Sequence, residues 1–171
     1  MGRRVEGCSL TGAAAAEFDT LPIVGTITRI FLRPSARTPV KEVESAEAVR
    51  GRGLEGDHSG GGNRQVTIIS EERWVDACRD LGSDVSPGGR RANVVVEGVR
   101  LEDAIGHELH LGECRIKVIG ETRPCRLMDD FAPGLQKALD PDCRGGVYGR
   151  VVEGGLIEVA ASVGVVKQEA A

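Results

Sequence analysis

Large aromatic side chains are scarce in this 171-residue sequence: phenylalanine, tryptophan and tyrosine together make up 3% of it. Glycine, by contrast, is abundant, with 24 residues. Few rings and many glycines indicate tight turns between short strands, around a core of Val, Ile, Leu and Ala. The length fits one domain better than two, and it is enough for a hydrophobic core.

Long hydrophobic runs are also missing, and no stretch approaches the ~20 apolar residues of a membrane span. Two arginines near the N-terminus could begin a signal peptide, but the acidic Glu6 follows closely after them. The segment TGAAAA is too short and too weakly apolar for the central region of a signal peptide. We therefore expect a cytoplasmic protein that makes no membrane contact. Residues 1–20 are predicted to be a flexible tail, residues 21–166 a single domain and residues 167–171 a frayed end.

An excess of positive charge is absent as well. The formal net charge is −4 and the isoelectric point is about 5.5. This balance argues against nucleic-acid binding driven by net charge. It allows a local basic pocket, because neighbouring side chains decide whether a small anion binds.

A disulfide framework is not evident, because the cysteines are odd in number and include no CxxC pair. The missing CxxC also argues against a zinc ribbon. We expect reduced thiols, and a Cys125–Cys143 bridge is the less favoured alternative. The five cysteines are Cys8, Cys78, Cys114, Cys125 and Cys143.

Most of the sequence divides into short apolar segments rich in β-branched residues, which are typical of strands. Longer helices are predicted in only two places. Ser70 and Gly82 are suited to begin and end a helix through SEERWVDACRDLG, and RLMDDFAPGLQKALD is helical except at Pro133–Gly134. The predicted strands are Leu21–Pro34, Ala46–Arg50, Arg64–Ser70, Ala92–Gly98, two within residues 107–122 and two or three within residues 145–166.

These segments do not alternate regularly between strand and helix, which disfavours a doubly wound parallel sheet. Short strands that far outnumber the helices are typical of a barrel. The sequence therefore predicts a mostly β fold with a few helices (α+β), arranged as a closed or half-closed, mostly antiparallel β-barrel.

A glycine-dense loop, GLEGDHSGGGN, precedes the predicted strand RQVTIIS. Its glycines allow sharp turns or a close approach to a ligand, and Asp57, His58 and Arg64 lie in the loop or directly after it. The loop has neither the GK[ST] ending of a Walker phosphate loop nor GxGxxG before a helix. Taken alone, it is better explained as a flexible surface loop.

Two further segments carry basic residues near strand starts. Arg90, Arg91 and Asn93 lie where a loop enters a strand, and paired arginines can bind phosphate through fork-like donors, although an isolated pair is usually solvated. In GGVYGR, Tyr148 and Arg150 share one face of a strand. A pocket role and a solvent-facing role are equally favoured for that face.

The segment HELH contains two histidines, His107 and His110, and could suggest zinc. The metalloprotease motif needs its histidines four residues apart on one face of a helix. Here they are three apart on a predicted strand, where they point to opposite faces. We interpret them as surface histidines.

Cys125 stands apart from the other cysteines. It follows a proline, which cannot donate to a strand ladder, and it lies between Arg123 and Arg126. Nearby cations favour the thiolate, which is the reactive form of cysteine. We therefore interpret Cys125 as functional, and Cys78 and Cys114, which have apolar surroundings, as core residues.

Taken in order, four motifs resemble the MOSC domain family, named after the C-terminal domain of molybdenum cofactor sulfurase. They are GLEGDHSGGGNRQVTII, RRANVVVEGVRLEDAIGHELHLGE, IKVIGETRPC and GGVYGRVVEGGLIE, and the similarity runs from about Ile23 to Val165. The cysteine that ends the third motif is the family hallmark, and here it is Cys125. The resemblance implies a β-rich barrel related to the inserted domain of pyruvate kinase.

The resemblance also implies a role with the molybdenum cofactor or in sulfur transfer. In members that hold the cofactor, a pterin with a terminal phosphate, the cysteine ligates molybdenum; in others it is proposed to carry sulfur as a persulfide. Cys125 is thus the expected catalytic residue and metal ligand. The expected cofactor-binding residues are Asp57, His58, Arg64, Arg91, Asn93, Arg123 and Arg150.

Three functions stay open at this point. Cys125 could carry persulfide sulfur to a metal–sulfur centre, it could bind molybdenum in a small enzyme that reduces N-hydroxylated compounds, or the protein could be a non-catalytic cofactor carrier. The sequence lacks the pyridoxal-phosphate cysteine desulfurase domain, the ferredoxin domain and the larger N-terminal β-barrel of bigger family members. We therefore expect partners: a cysteine desulfurase or other sulfur donor, and a metalloenzyme acceptor or electron-donor protein.

Overall fold

Strands dominate residues 25–169, the part of the chain that the computed structural model describes. The helices are α1 (Glu71–Leu81), α2 (Leu127–Phe131) and α3 (Leu135–Leu139), with 3₁₀ turns at Pro87–Arg90 and Leu101–Ala104. The strands are β1 (Gly25–Leu32), β2 (Lys41–Val43), β3 (Ser45–Val49), β4 (Gly53–Leu54), β5 (Val66–Ser70), β6 (Val94–Glu97), β7 (Glu108–Leu111), β8 (Cys114–Glu121), β9 (Val147–Glu153), β10 (Gly155–Glu158) and β11 (Ser162–Val166).

Seven of these strands form a closed barrel. Their order around the ring is β11-β7-β8-β9-β5-β6-β1, and pairing of β1 with β11 closes it. All pairings in the ring are antiparallel except that of β5 with β6. The predicted mostly β fold with a barrel and a few helices is confirmed, and the barrel is the closed form.

Helix α1 connects the two parallel strands, β5 and β6, as parallel pairing requires a crossover. The Ser70 side chain accepts a hydrogen bond from the backbone N–H of Arg73 at 3.3 Å, which caps the helix start. At the other end Gly82 adopts φ 72°, a conformation that favours glycine. Both predicted ends of this helix are confirmed.

The core has two parts, one inside the barrel and one between the barrel and the helices. On β5, Ile68 points into the barrel, whereas Ile69 packs outside against Trp74 of α1 and Leu135 of α3. β6 alternates in the same way, so both central strands are buried on both faces, which explains their uninterrupted apolar sequences. The predicted core position of Cys114, inside the barrel, is confirmed.

Several sequence-based boundaries need correction or lie outside the structure. The short strand β2 is an edge strand in a segment, ARTPVKEV, for which the sequence left loop and edge strand open, and β4 lies within the segment interpreted as a glycine-dense loop. The first predicted strand is observed from Gly25 onward; residues 1–24, with the predicted tail, and residues 170–171 lie outside the described residues. The prediction that the HELH segment is a strand is confirmed, since β7 begins at Glu108, directly after His107. No described helix is both long and apolar enough to cross a membrane.

Asn93, one of the expected cofactor-binding residues, connects two barrel strands. Its side-chain oxygen accepts a hydrogen bond from Thr67 N–H at 3.0 Å, and its side-chain nitrogen donates to Phe31 O at 3.4 Å. The side chain is 4% exposed. Both polar atoms of the Asn93 side chain therefore hold barrel strands together, and these are the atoms that a ligand would have to contact.

Replacing Asn93 with alanine should lower the free energy of unfolding by about 1–3 kcal/mol, because two buried backbone groups lose their partner. Thr26→Ala is the matched control, since the Thr26 hydroxyl donates to Glu97 at an exposed position, and it should change the free energy by less than about 0.5 kcal/mol. Urea unfolding followed by circular dichroism measures both. Equal effects of the two substitutions would contradict a structural role for Asn93.

Candidate functional site

Cys125 is exposed and lies just before α2, in the loop that follows β8. Its carbonyl oxygen accepts a hydrogen bond from Met128 N–H at 2.9 Å, so the first turn of the helix begins at the cysteine. Upstream, Thr122 N–H still donates to Gly146 O at 2.8 Å. The loop that carries the thiol is therefore fixed at both ends, to β9 and to α2.

A buried arginine that the sequence analysis did not select lies close to this thiol. Arg90 is 3% exposed, and its Nη2 donates to Thr122 O at 3.0 Å while its Nη1 lies 3.6 Å from Met128 Sδ. Its Nε has no hydrogen-bond partner, and the buried Thr122 Oγ1 has none either. Within residues 25–169, the guanidinium forms no ion pair with a carboxylate.

The buried position of Arg90 disfavours the charged form of its side chain. Burial lowers the pKa of Arg90 to about 10, and the positive charge of Arg64 contributes in the same direction. A negative charge on Cys125 acts in the opposite direction, to raise the pKa of Arg90. A negative charge at the thiol position therefore stabilises the charged form of Arg90.

Two glycines allow this close packing. A side chain at Gly145 would collide with Thr122 O and lie 3.2 Å from Arg90 Nη2. Gly146 has φ 85°, and a side chain there would collide with Ile68 O. The double glycine before β9 therefore lets three segments meet around the guanidinium, which no other residue pair permits.

Arg64 approaches the same region along the outer face of the barrel. Its Nε lies 3.4 Å from Thr67 Oγ1, and Thr67 pairs with Tyr148 of β9. Tyr148 in turn pairs with Gly120 near the end of β8. Arg150 lies two residues further along β9 and is exposed, so its charge lies on the same face as Tyr148.

Asp57, His58 and Arg91 line a small pocket together with Arg33. Asp57 Oδ1 accepts a hydrogen bond from the backbone N–H of Arg33 at 2.7 Å, and His58 Nδ1 lies 3.1 Å from Arg33 O. Burial and the charge of Arg91 lower the pKa of Arg33, and its buried Nε has no partner. This group does not include Arg90, which contacts Thr122 and Met128. Its pocket is lined by Phe31, Arg33, Val40, Asp57, His58, Ser59, Arg91, Ala92 and Asn93.

The two neighbouring arginines thus belong to different groups. Arg91 has φ 64°, a left-handed conformation that is uncommon outside glycine. This turn sends Arg90 towards Thr122 and Arg91 towards Arg33. The two adjacent arginines in the sequence indicated an anion-binding group. The sequence did not show which of the two lies near the loop of the thiol, because that depends on the backbone turn at Arg91. Arg123 is exposed next to Cys125 in sequence.

The other described cysteines differ from Cys125 in their surroundings. Burial, followed by Glu153 and Glu47, raises the pKa of Cys114 to about 12. Burial, followed by Glu121 and Glu102, raises the pKa of Cys143 to about 11. Cys125 and Cys143 are both free thiols.

Metal-binding groups and larger grooves were also considered among the described residues. No group of three or more His, Cys, Asp or Glu side chains within residues 25–169 is arranged to bind a metal ion. A larger groove of about 650 Å³ lies along α1 and the loop after it, and none of the expected site residues lines it.

A closed seven-stranded barrel with an exposed cysteine before a short helix defines a class of small thiol-bearing β-barrel proteins. A sequence model of the MOSC domain matches residues 55–164, which is more than half of the chain. The chain belongs to the MOSC domain family, which is linked to molybdenum-cofactor binding and sulfur handling.

Solved structures share the architecture. The YUAD protein from Bacillus subtilis superposes with a TM-score of 0.68 at 18% identity, over 82% of this chain and 94% of that one. YiiM from Escherichia coli gives 0.64 at 16% identity, over 84% and 70%, and YiiM from Geobacillus stearothermophilus gives 0.61 at 20% identity, over 85% and 74%. At these identities the similarity establishes the fold alone. A search of curated proteins found no match.

The burial differences predict which thiol reacts first. With limiting iodoacetamide at neutral pH, Cys125 should be alkylated before Cys78, Cys114 and Cys143, because it is the exposed thiol among these four. Cys143 should react appreciably only as the pH approaches its pKa of about 11. Peptide mapping by mass spectrometry of the Cys8→Ser protein measures the order. Earlier labelling of Cys78 or Cys114 would show that the thiol site is misassigned.

Proposed function

We propose that this MOSC domain carries sulfur as a persulfide on Cys125 for delivery to a metal–sulfur centre. The observation that carries the proposal is an exposed thiol that lies in the chain between Thr122 and Met128, the two residues that contact a buried guanidinium with no carboxylate partner among residues 25–169. Such a cation favours the anionic form of a thiol, and it favours a persulfide anion for the same reason. Exposure lets a donor and an acceptor reach the sulfur in turn.

The transfer needs no external oxidant. The Cys125 thiolate attacks the terminal sulfur of a donor persulfide, such as that of a cysteine desulfurase, forming a new S–S bond as the donor thiolate leaves. A nucleophile on the acceptor then takes the terminal sulfur, and Cys125 leaves as the thiolate. In both steps the negative charge moves past Arg90, whose position is set by Thr122 and Met128.

The same residues fit an anionic pterin cofactor, which is the second candidate. Unpartnered guanidinium nitrogens in both arginine groups, at Arg90 and Arg33, are suited to bind anionic oxygens. Cys125 would be the protein ligand to molybdenum, and Arg64, Arg91, Arg123 and Arg150 are further candidates to hold the cofactor. When bound, the cofactor would supply two-electron redox chemistry, as in a reductase of N-hydroxylated compounds, or would be cargo for an acceptor protein.

Cys125→Ser should abolish persulfide formation, whereas Cys143→Ser should leave most of it intact, because Cys143 is partly buried and its pKa is raised. The protein is incubated with a cysteine desulfurase and cysteine, and the gain of one sulfur atom is located by mass spectrometry under non-reducing conditions. Persulfide that persists on the Cys125→Ser protein would refute the carrier proposal. Molybdenum and pterin analysis of the gently purified protein tests the second candidate independently.

Arg90→Gln should slow alkylation of Cys125 at pH 7, because a nearby cation favours the reactive thiolate. Arg90→Lys should restore part of the rate because it keeps the charge. The difference should vanish at high pH, where the thiol is ionised in every variant, and this separates electrostatics from misfolding.

The matched control for that experiment is Arg100→Gln, an exposed arginine that is paired with Glu102. It should leave the rate at Cys125 unchanged. A rate for Arg90→Gln equal to that of the control at pH 7 would count against the assigned role of the guanidinium.

A further inference from the structure

The surface beside Cys125 combines exposed apolar side chains with exposed arginines. Leu127 and Phe131 are 54% and 48% exposed, and because they lie four residues apart on α2 they share one face of the helix. Arg123 and Arg126, two residues before and one residue after the cysteine, are exposed as well. In the part of the chain that the structure describes, neither arginine forms an ion pair.

Helix α2 holds the apolar side of this surface in place. Its first turn begins at Cys125, whose carbonyl oxygen accepts a hydrogen bond from the N–H of the buried Met128 at 2.9 Å. The Phe131 ring lies so close to Gly89 that a side chain at Gly89 would collide with it. A ring that packs against backbone on one side and faces solvent on the other loses little conformational freedom when a partner covers it.

The positive charge lies at the end of the surface nearest the thiol, at Arg123 and Arg126. Further along α2 the charges are negative: Asp130 is exposed, and Asp129 Oδ1 accepts a hydrogen bond from Gln136 N–H at 2.9 Å. A complementary partner therefore has its acidic side chains next to its reacting atom and an apolar side chain slightly further away.

We propose that Leu127, Phe131, Arg123 and Arg126 form the docking surface for the protein that donates sulfur to Cys125. The surface fits a short segment of the donor, in which the persulfide cysteine has acidic neighbours and a nearby apolar residue. The inference rests on the proposed function and adds the chemistry by which this domain recognises its donor.

The transfer itself brings the donor segment against these residues. Cysteines joined by a disulfide have Cα atoms about 4.4–6.8 Å apart, and one additional sulfur adds about 2 Å. The neighbours of the donor cysteine therefore come within side-chain reach of Arg126 and Leu127, which directly follow Cys125 in the chain. Acidic neighbours pair with the arginines, and an apolar neighbour covers the exposed helix face.

The small area suits a partner that leaves after each transfer. Two half-exposed side chains on one helical turn offer on the order of 200 Å² of apolar surface, far below the roughly 800 Å² per partner of a stable protein interface. Complementary charges at such a contact mainly increase the association rate. A second copy of the chain, related by a two-fold axis, would bring the same arginines together, so like charges oppose self-association here.

Four short peptides, each with one cysteine activated as the 2-pyridyl disulfide, test the surface. The first has aspartates next to the cysteine and a leucine two residues away, the second only the aspartates, the third only the leucine, and the fourth serine at all these positions. The Cys125 thiolate attacks the peptide sulfur, a mixed disulfide forms and pyridine-2-thiolate leaves, so no further oxidant is needed. Absorbance follows the release, and peptide mapping locates the adduct.

The rates are measured with the Cys8→Ser protein and divided by those of N-acetylcysteine amide, which removes the intrinsic reactivity of each peptide. We expect the peptide with both features to react about tenfold faster than the serine peptide on this scale, and each single feature to give a smaller gain. The aspartate-dependent part should shrink as the salt concentration rises, because exposed charges are screened. The leucine-dependent part should persist.

Arg123→Gln combined with Arg126→Gln should remove the aspartate-dependent part and keep the leucine-dependent part. The matched control is Arg50→Gln with Arg52→Gln, which removes two exposed arginines from the turn between β3 and β4. This control should keep both parts.

Leu127→Ser combined with Phe131→Ser should have the opposite effect and remove only the leucine-dependent part. Its matched control is Val75→Ser with Leu156→Ser, which removes two exposed apolar side chains from α1 and β10. Because each result is a ratio of rates within one protein, a general change in Cys125 reactivity cancels.

Equal normalised rates for the four peptides on the wild-type protein would overturn the docking surface, even if the variants did not fold. A preference that survives both double substitutions would overturn it too, and a preference that disappears as the protein dimerises would assign the surface to a second copy of the chain. A protein that shows the preference but gains no sulfur from a cysteine desulfurase would lose the proposed function and keep the docking surface. A protein that gains sulfur on Cys125 without any preference would keep the function and lose the surface.

Discussion

A buried positive charge without a carboxylate partner is the feature on which the rest of the site depends. Removing a guanidinium from water costs several kcal/mol unless hydrogen bonds and an opposite charge offset it. Around Arg90 the described chain offers a carbonyl oxygen from Thr122 and a thioether sulfur from Met128, both neutral. An anion at Cys125 completes the arrangement, which ties the exposed thiol to the interior of the protein.

The barrel provides the rigidity that holds this charge in place. β5 and β6 are buried on both faces, so the inner core fixes the strands and the outer core fixes the helices against them. The loop with Thr122 is bonded to Gly146 on one side and continues into α2 on the other. Interiors packed in this way resist displacement of single side chains, so Arg90 keeps its position near the thiol whether or not an anion is present.

Much of this fold follows from local sequence, as α1 illustrates. Ser70 and Gly82 end the helix through bonds and angles set within a few residues, and the apolar sequences of β5 and β6 reflect burial on both faces. Strand β4 was missed and β2 was left open between loop and edge strand for the opposite reason, since two or three residues acquire strand geometry only by pairing with β3 and β1. Cys125 was selected from the sequence because a proline and two arginines surround it, and the structure shows that its thiol is exposed.

The sequence by itself determined the β-rich class and the helix between the parallel strands, and it marked Cys125 as a candidate site residue, because propensity, capping and neighbouring charge act over short distances. Only the tertiary structure decided which arginine lies near the loop of the thiol. Arg90 and Arg91 are chemically identical, and a left-handed backbone turn at Arg91 sends Arg90 to Thr122 and Arg91 to the pocket with Arg33. The close approach of Gly145 to Thr122 and of Phe131 to Gly89 is likewise seen only in the structure. Contacts between distant segments depend on how the chain closes into a barrel.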